Sequence, residues 1–167
     1  MTVYSSGSPD LTLAAAPGMA TLLSMARSLQ SIVEQCAATQ GVTLPDRRVI
    51  YMAPMPADCP QVAMLIGGWQ LEPPIDGMFT CARGRWAAQL GVVITRKSPA
   101  VPDAAGDLPK PSQLESAAQM ASDDAEVLLA VIGAVDEIAD VLVQTPAAEG
   151  GLQSVTLSFR APADGAL

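Results

Sequence analysis

Histidine is absent from this chain, and aromatic side chains are scarce: two Phe, two Tyr and two Trp in 167 residues. Without an imidazole, Ser-His-Asp and Cys-His schemes lack their base. Zinc sites that mix Cys with His are excluded, and three cysteines, Cys36, Cys59 and Cys81, are too few for a four-Cys site. The odd count, with no secretory signal, argues for reduced thiols. The apolar run at 11–16 has no basic region before it and is too short for a signal or a membrane span. The chain therefore reads as a soluble protein made in a cytoplasm. No Gly-x-Gly-x-x-Gly or Walker loop occurs; Gly67-Gly68 lies inside a strand pattern with no helix behind it. The two lysines, Lys97 and Lys110, sit in or beside a proline-rich loop and make poor partners for a catalytic serine.

Basic residues are missing from Pro111 to Phe159, a stretch that holds eight acids. Seven of the nine basic residues fall between Arg47 and Lys110, and the net charge is -8. That balance favours solubility and disfavours static binding to phosphate backbones. It also suits a dipolar subunit that joins its neighbours head to tail, or simply a solvated acidic helix face. Half of the residues are hydrophobic, so a chain of this length builds a core, made here from Ala, Val, Leu, Ile and eight Met.

Residues 1–16 read as an N-terminal arm, 17–160 as a single α+β core and 161–167 as a C-terminal tail. Leu22, Met25, Leu29, Ile32, Val33 and Cys36 form a helical stripe that Gly41 ends, giving a helix over 18–40. Arg48 to Met52 reads as a strand. Pro54, Pro56 and Pro60 break the pattern. Strands are expected over 61–71, with a bulge at Gly67-Gly68, and over 86–96. These two form a hairpin whose tip carries Pro73 and Pro74. The segment from Ser98 to Pro111 is a loop with four prolines. Ser112 and Glu115 have the spacing of a capping box. Apolar positions from Leu114 through Ala125, Leu128 and Val135 to Leu142 predict one helix of about thirty residues. Alternation over 152–159 predicts a last strand. The expected architecture is a small, mainly antiparallel sheet with two helices on one face, in the order α-β-β-β-α-β.

Paired carboxylates at Asp123-Asp124 and Asp136-Glu137 are neighbours on a helix and do not face each other, so they read as solvated. Asp58 and Cys59 read as a turn residue and a small apolar residue, because Cys59 has Asp and Pro beside it rather than cations. Trp69 and Trp86 read as cross-strand packing on the hairpin. Arg83, Arg85, Arg96 and Lys97 gather near the two ends of the third strand, placed to meet acids of a neighbouring subunit or to keep the hairpin soluble.

The segment from Arg47 onward resembles the head-to-tail connector and tail terminator proteins of siphophages that infect actinobacteria. The residues that carry the resemblance are Arg47, Val49, Tyr51, Pro54, Asp58, Cys59, Gln61, Cys81, Arg96, Pro109, Ser112 and Leu114, within about residues 40–160. The chain departs from that pattern in having one Cys after Asp58, Pro60 and Val62 around Gln61, Lys97 where a Cys is common, and no Trp in the last strand.

The resemblance implies a lambda-type terminator fold and a virion protein of the phage neck, with no catalytic residue and no cofactor. Its partners would be further copies of itself in a ring, expected to be a hexamer, the major tail tube protein and a stopper or connector protein. Genomic DNA would pass through the lumen without specific binding. Contacts with the ring neighbours and the tube are expected from the arm, from Pro73 and Pro74, and from Pro102, Asp103 and Asp107 in the proline-rich loop. Arg83, Arg85, Arg96 and Lys97 are expected to contribute too. A stopper or adaptor one ring closer to the portal and, behind it, a cellular adaptor domain are the alternative readings.

Overall fold

The computed structural model describes residues 17–52, 58–72, 85–98, 108–145 and 151–163. Helix α1 (Met19–Gln40) is followed by strands β1 (Arg48–Tyr51), β2 (Gln61–Glu72) and β3 (Arg85–Lys97). Helix α2 (Pro111–Ala134) and strands β4 (Ala139–Gln144) and β5 (Leu152–Pro162) complete the order. The five strands form one sheet in the order β1-β2-β3-β5-β4; β1 runs parallel to β2 and every other pairing is antiparallel.

Strand periodicity decides which face is covered. Val62, Met64 and Ile66 of β2 align with Ile94, Val92 and Leu90 of β3, and these with Val155, Leu157 and Phe159 of β5. All nine are buried and share one core with Leu22, Met25, Leu29 and Val33 of α1 and Val127, Leu128 and Val131 of α2. Both helices therefore lie on one face, α1 over β2 and α2 over β5. The register between β2 and β3 slips between Ile66 and Gly68, which places the expected bulge at Gly67. Gly68 has φ 127, a conformation that side chains disfavour. Gly91, in the middle of β3, is required by space: a Cβ there would lie 3.0 Å from the Leu157 carbonyl oxygen.

The ends of α1 follow from its residues. Gly41 closes the helix at φ 71; its N–H donates to the Ala38 carbonyl at 3.2 Å and the Val42 N–H to Ala37 at 2.9 Å. This pair is the Schellman arrangement, which satisfies two carbonyls that the helix leaves open. Helix α2 starts one residue before the expected cap. Pro111 takes the first helical position, where its missing N–H costs nothing. The reach-back comes from Gln113, whose Oε1 accepts the Lys110 N–H at 2.7 Å, rather than from Glu115.

The largest departure is the end of α2. The thirty-residue helix stops at Ala134, and the residues expected to finish it make β4 instead. Val135 is extended, and Glu137 and Asp140 have positive φ of 53 and 51. Ile138, Val141 and Val143 are β-branched and pack at least as well on a pleated surface as on a helix. Pairing with β5 decides between the two: Leu142, Val143 and Gln144 align with Ser158, Leu157 and Thr156.

A buried ion pair fastens α2 to the sheet. The Arg96 guanidinium holds Asp124 of α2 through Nε–Oδ2 and Nη2–Oδ1, both 2.7 Å, and Nη2 also donates to the Thr43 carbonyl at 2.9 Å. The Asp124 side chain is 3% exposed and that of Arg96 20%. The aspartate read from sequence as solvated is therefore an internal anchor, because α2 turns it to the sheet while the half-buried Asp123 lines a hollow beside α1. The hydrogen bonds that Arg96 donates to Asp124 push the Arg96 pKa up, against the opposing effect of burial. A raised basic pKa keeps its stabilisation at every pH below the ordinary arginine value and loses it only through the higher folded value, so Arg96 stays charged throughout the working range.

Two stability changes follow. Asp124→Ala should cost about 3 kcal/mol in urea unfolding, because it strands a guanidinium. Replacing both partners, with Arg96→Met and Asp124→Leu, should recover most of that loss. Gly91→Ala should cost about 1–2 kcal/mol by overpacking against the β5 backbone, with the melting temperature lowered by several degrees.

Candidate functional site

Four of the residues that carry the resemblance, Arg47, Asp58, Cys59 and Gln61, come together at one end of the sheet, while Pro54 lies outside the described residues. Parallel pairing sets Arg48 beside Val62, and the Val62 N–H donates to the Arg47 carbonyl at 2.9 Å. This brings Arg47 over the turn that leads into β2. Its Nη1 lies 2.6 Å from Cys59 Sγ and 3.7 Å from Asp58 Oδ1, and Cys59 Sγ lies 4.0 Å from Gln61 Oε1. The Cys59 contact is the main cause that holds Arg47 above its ordinary pKa. Arg47 and Asp58 are both well exposed, so their pairing contributes little to stability. Gln61 is fully buried and heads a polar row across the helix-free face: Thr95 sits beside it and Ser154 beyond, with the two hydroxyls 3.0 Å apart. Arg48 reaches the other way and holds Glu34 of α1 at 2.9 Å.

A second cluster stands at the opposite end of β3. Arg160 of β5 bonds Glu72 of β2 at 2.6 Å and Asp140 of β4. Arg85 bonds Glu137, at the start of β4, at 2.7 Å. These ion pairs tie Glu137, in the turn between α2 and β4, and Asp140, in β4, to neighbouring strands, and both acids have positive φ. Sequence reading ended the last strand at Phe159 and missed Arg160. The signal was present, since Ala161 continues the buried phase of Val155, Leu157 and Phe159 and places Arg160 in the polar phase.

The expected contact residues divide sharply. Arg96 is occupied inside the subunit by Asp124, and Arg85 is held by Glu137. Lys97 is exposed at the end of β3. Arg83, Pro73, Pro74, Pro102, Asp103 and Asp107, together with Cys81 and the arm 1–16, lie outside the described residues. Trp86 packs against the core, whereas Trp69, past the bulge, is 40% exposed. Burial pushes the Cys36 thiol up, which disfavours its thiolate.

Two hollows are formed by described residues. One lies between the end of α1 and α2 and is lined by Gln40, Gly41, Thr43, Arg96, Asp123 and Glu126. The other surrounds the Arg160 cluster. In the second hollow the charged groups bind one another, and in the first Arg96 is held by Asp124 and Asp123 by Gln119, so the chemistry of these groups is that of fastening elements together. Among the described residues, no group of three or more Cys, Asp or Glu is placed to hold a metal ion. Among the described residues, no helix is long and apolar enough to cross a membrane.

No family model and no curated protein sequence matches the chain. Among solved structures, a chain of the "Virion of native gene transfer agent (GTA) particle" is similar at 10% identity with a TM-score of 0.43. The match covers 87% of this chain and 98% of that one. So distant a likeness transfers no role to this chain.

Proposed function

We propose that this chain is a structural virion protein of a phage neck: a tail terminator that forms a ring on the head-proximal end of the tail tube, ends tube growth and offers the surface to which the head joins. The observation that carries this reading is the resemblance between Arg47 and Leu114. It is supported by what those residues do: Arg47, Asp58, Cys59 and Gln61 cluster at the β1–β2 end, and Arg96 fastens β3 to α2. A motif whose members bind one another at the end of the sheet or join helix to sheet, rather than converge on a cleft, suits a part whose work is shape and contact. On this reading the chain catalyses nothing and needs no cofactor. The partners are copies of itself, the tail tube protein and a stopper, and DNA passes through the ring. A low density of basic groups favours that passage, since each phosphate contact made would have to be broken as the DNA slides.

Deletion of the gene separates the possible places in the neck. Overlong tails seen by electron microscopy are the expected outcome. Tails of normal length that fail to join heads would move the protein to the stopper position, and unaltered particles would remove it from the virion.

A further inference from the structure

Strand β4 is attached to the molecule without belonging to its core. Five of its six residues are exposed and only Val143 is half-buried. Among the described residues, none of the buried members of the core lies in β4; Val143, and Ile138 just before the strand, reach only the core's margin. Its neighbour β5 is different. It pairs with β3 along its whole length, from Leu152 to Pro162, and buries Val155, Leu157, Phe159 and Ala161 on the side that α2 covers. Without β4 there remains a four-stranded sheet, β1-β2-β3-β5, with both helices and every buried core residue in place.

What holds β4 is short and strained. Its register with β5 slips between Ala139 and Leu142, so that Asp140 and Val141 stand against Phe159 alone. Continuous pairing is left to Leu142, Val143 and Gln144. Glu137 and Asp140 have a left-handed backbone, φ 53 and 51, which costs energy in any residue with a side chain. Each is tied by one arginine, Glu137 by Arg85 and Asp140 by Arg160. The two acid side chains are 64% and 67% exposed, and pairs so open to water add little and weaken in salt. Arg160 also holds Glu72, which joins β5 to β2 across β3. That bond does not involve β4, so Arg160 keeps a partner when the strand leaves.

We propose that β4 is a releasable latch. It opens from the edge of β5 as a unit while the rest of the molecule stays folded, and the pairs Arg85–Glu137 and Arg160–Asp140 set how often it does so. Opening bares the backbone N–H and C=O groups of β5 between Thr156 and Arg160, the kind of edge to which another strand adds. In the closed form β4 caps that edge. The inference stands apart from the phage reading and does not depend on what the subunit builds.

Native-state hydrogen exchange of the full chain, read by mass spectrometry over a series of low urea concentrations, tests it. Amides of 139–144 should be protected about a hundredfold less than those of β3 and α1, with little dependence on urea, as a local opening requires. Salt at about 1 M should speed their exchange roughly threefold by screening the two pairs, with no matching change in β3. Glu137→Gln combined with Asp140→Asn should do the same at low salt. Val143→Asp should abolish protection in β4 and leave the helical circular dichroism unchanged. Exchange of β4 that follows the urea dependence of β3, or a Val143→Asp chain that loses its helices, would overturn the proposal, because either makes β4 part of the cooperative core. Exchange indifferent to both salt and the double substitution would overturn the part given to the ion pairs.

Discussion

The two-residue contact between Arg96 and Asp124 is the constraint on which the layering depends. β3 is the middle strand of the sheet, bonded on both sides, and the contact is joined by Gln153 of β5, whose Nε2 donates to the Ala117 carbonyl of α2 at 3.0 Å. A bidentate guanidinium–carboxylate pair has one good geometry. Buried almost completely on the acid side, it fixes both the height and the rotation of α2. The third bond, to the Thr43 carbonyl, draws the segment after α1 into the same joint. Burying this pair gains little net stability over an apolar substitute. What it supplies is a single arrangement of helix on sheet, which an aliphatic core with few aromatics would define less sharply.

Much of the fold was legible because its signals are local. The stripe of α1, its glycine stop and the bounds of β2 and β3 follow from periodicity and turn residues, and the observed ends lie within about one residue of the expected ones. The Gly67-Gly68 bulge was visible for the same reason. The hidden features all depend on partners distant in sequence. Residues 135–142 have a spacing that serves helix or strand, and only pairing with β5 selects the strand. Asp124 looks like any surface acid until α2 is rotated so that it meets Arg96. Arg160 gains meaning only when Glu72 and Asp140 are beside it.

The candidate contact residues show the same divide. Basic residues near β3 were read as one outward-facing group, yet Arg85 and Arg96 are bound by acids from the α2–β4 region. The charge asymmetry seen in the sequence is thus partly cancelled within the subunit. Counting charges along the chain overstates an interaction surface wherever the fold brings the two blocks together.

The bulge at Gly67 has a practical consequence for watching the molecule unfold. Both tryptophans, Trp69 and Trp86, lie on the part of the β2–β3 hairpin beyond it, one of them well exposed and the other at the margin of the core. No other residue of that type exists in the chain. Intrinsic fluorescence therefore sees the outer half of the hairpin, while circular dichroism sees α1 and α2. A difference between the two transitions would mean that the hairpin frays as its own cooperative unit, and coincidence would mean that the bulge transmits the core's stability outward.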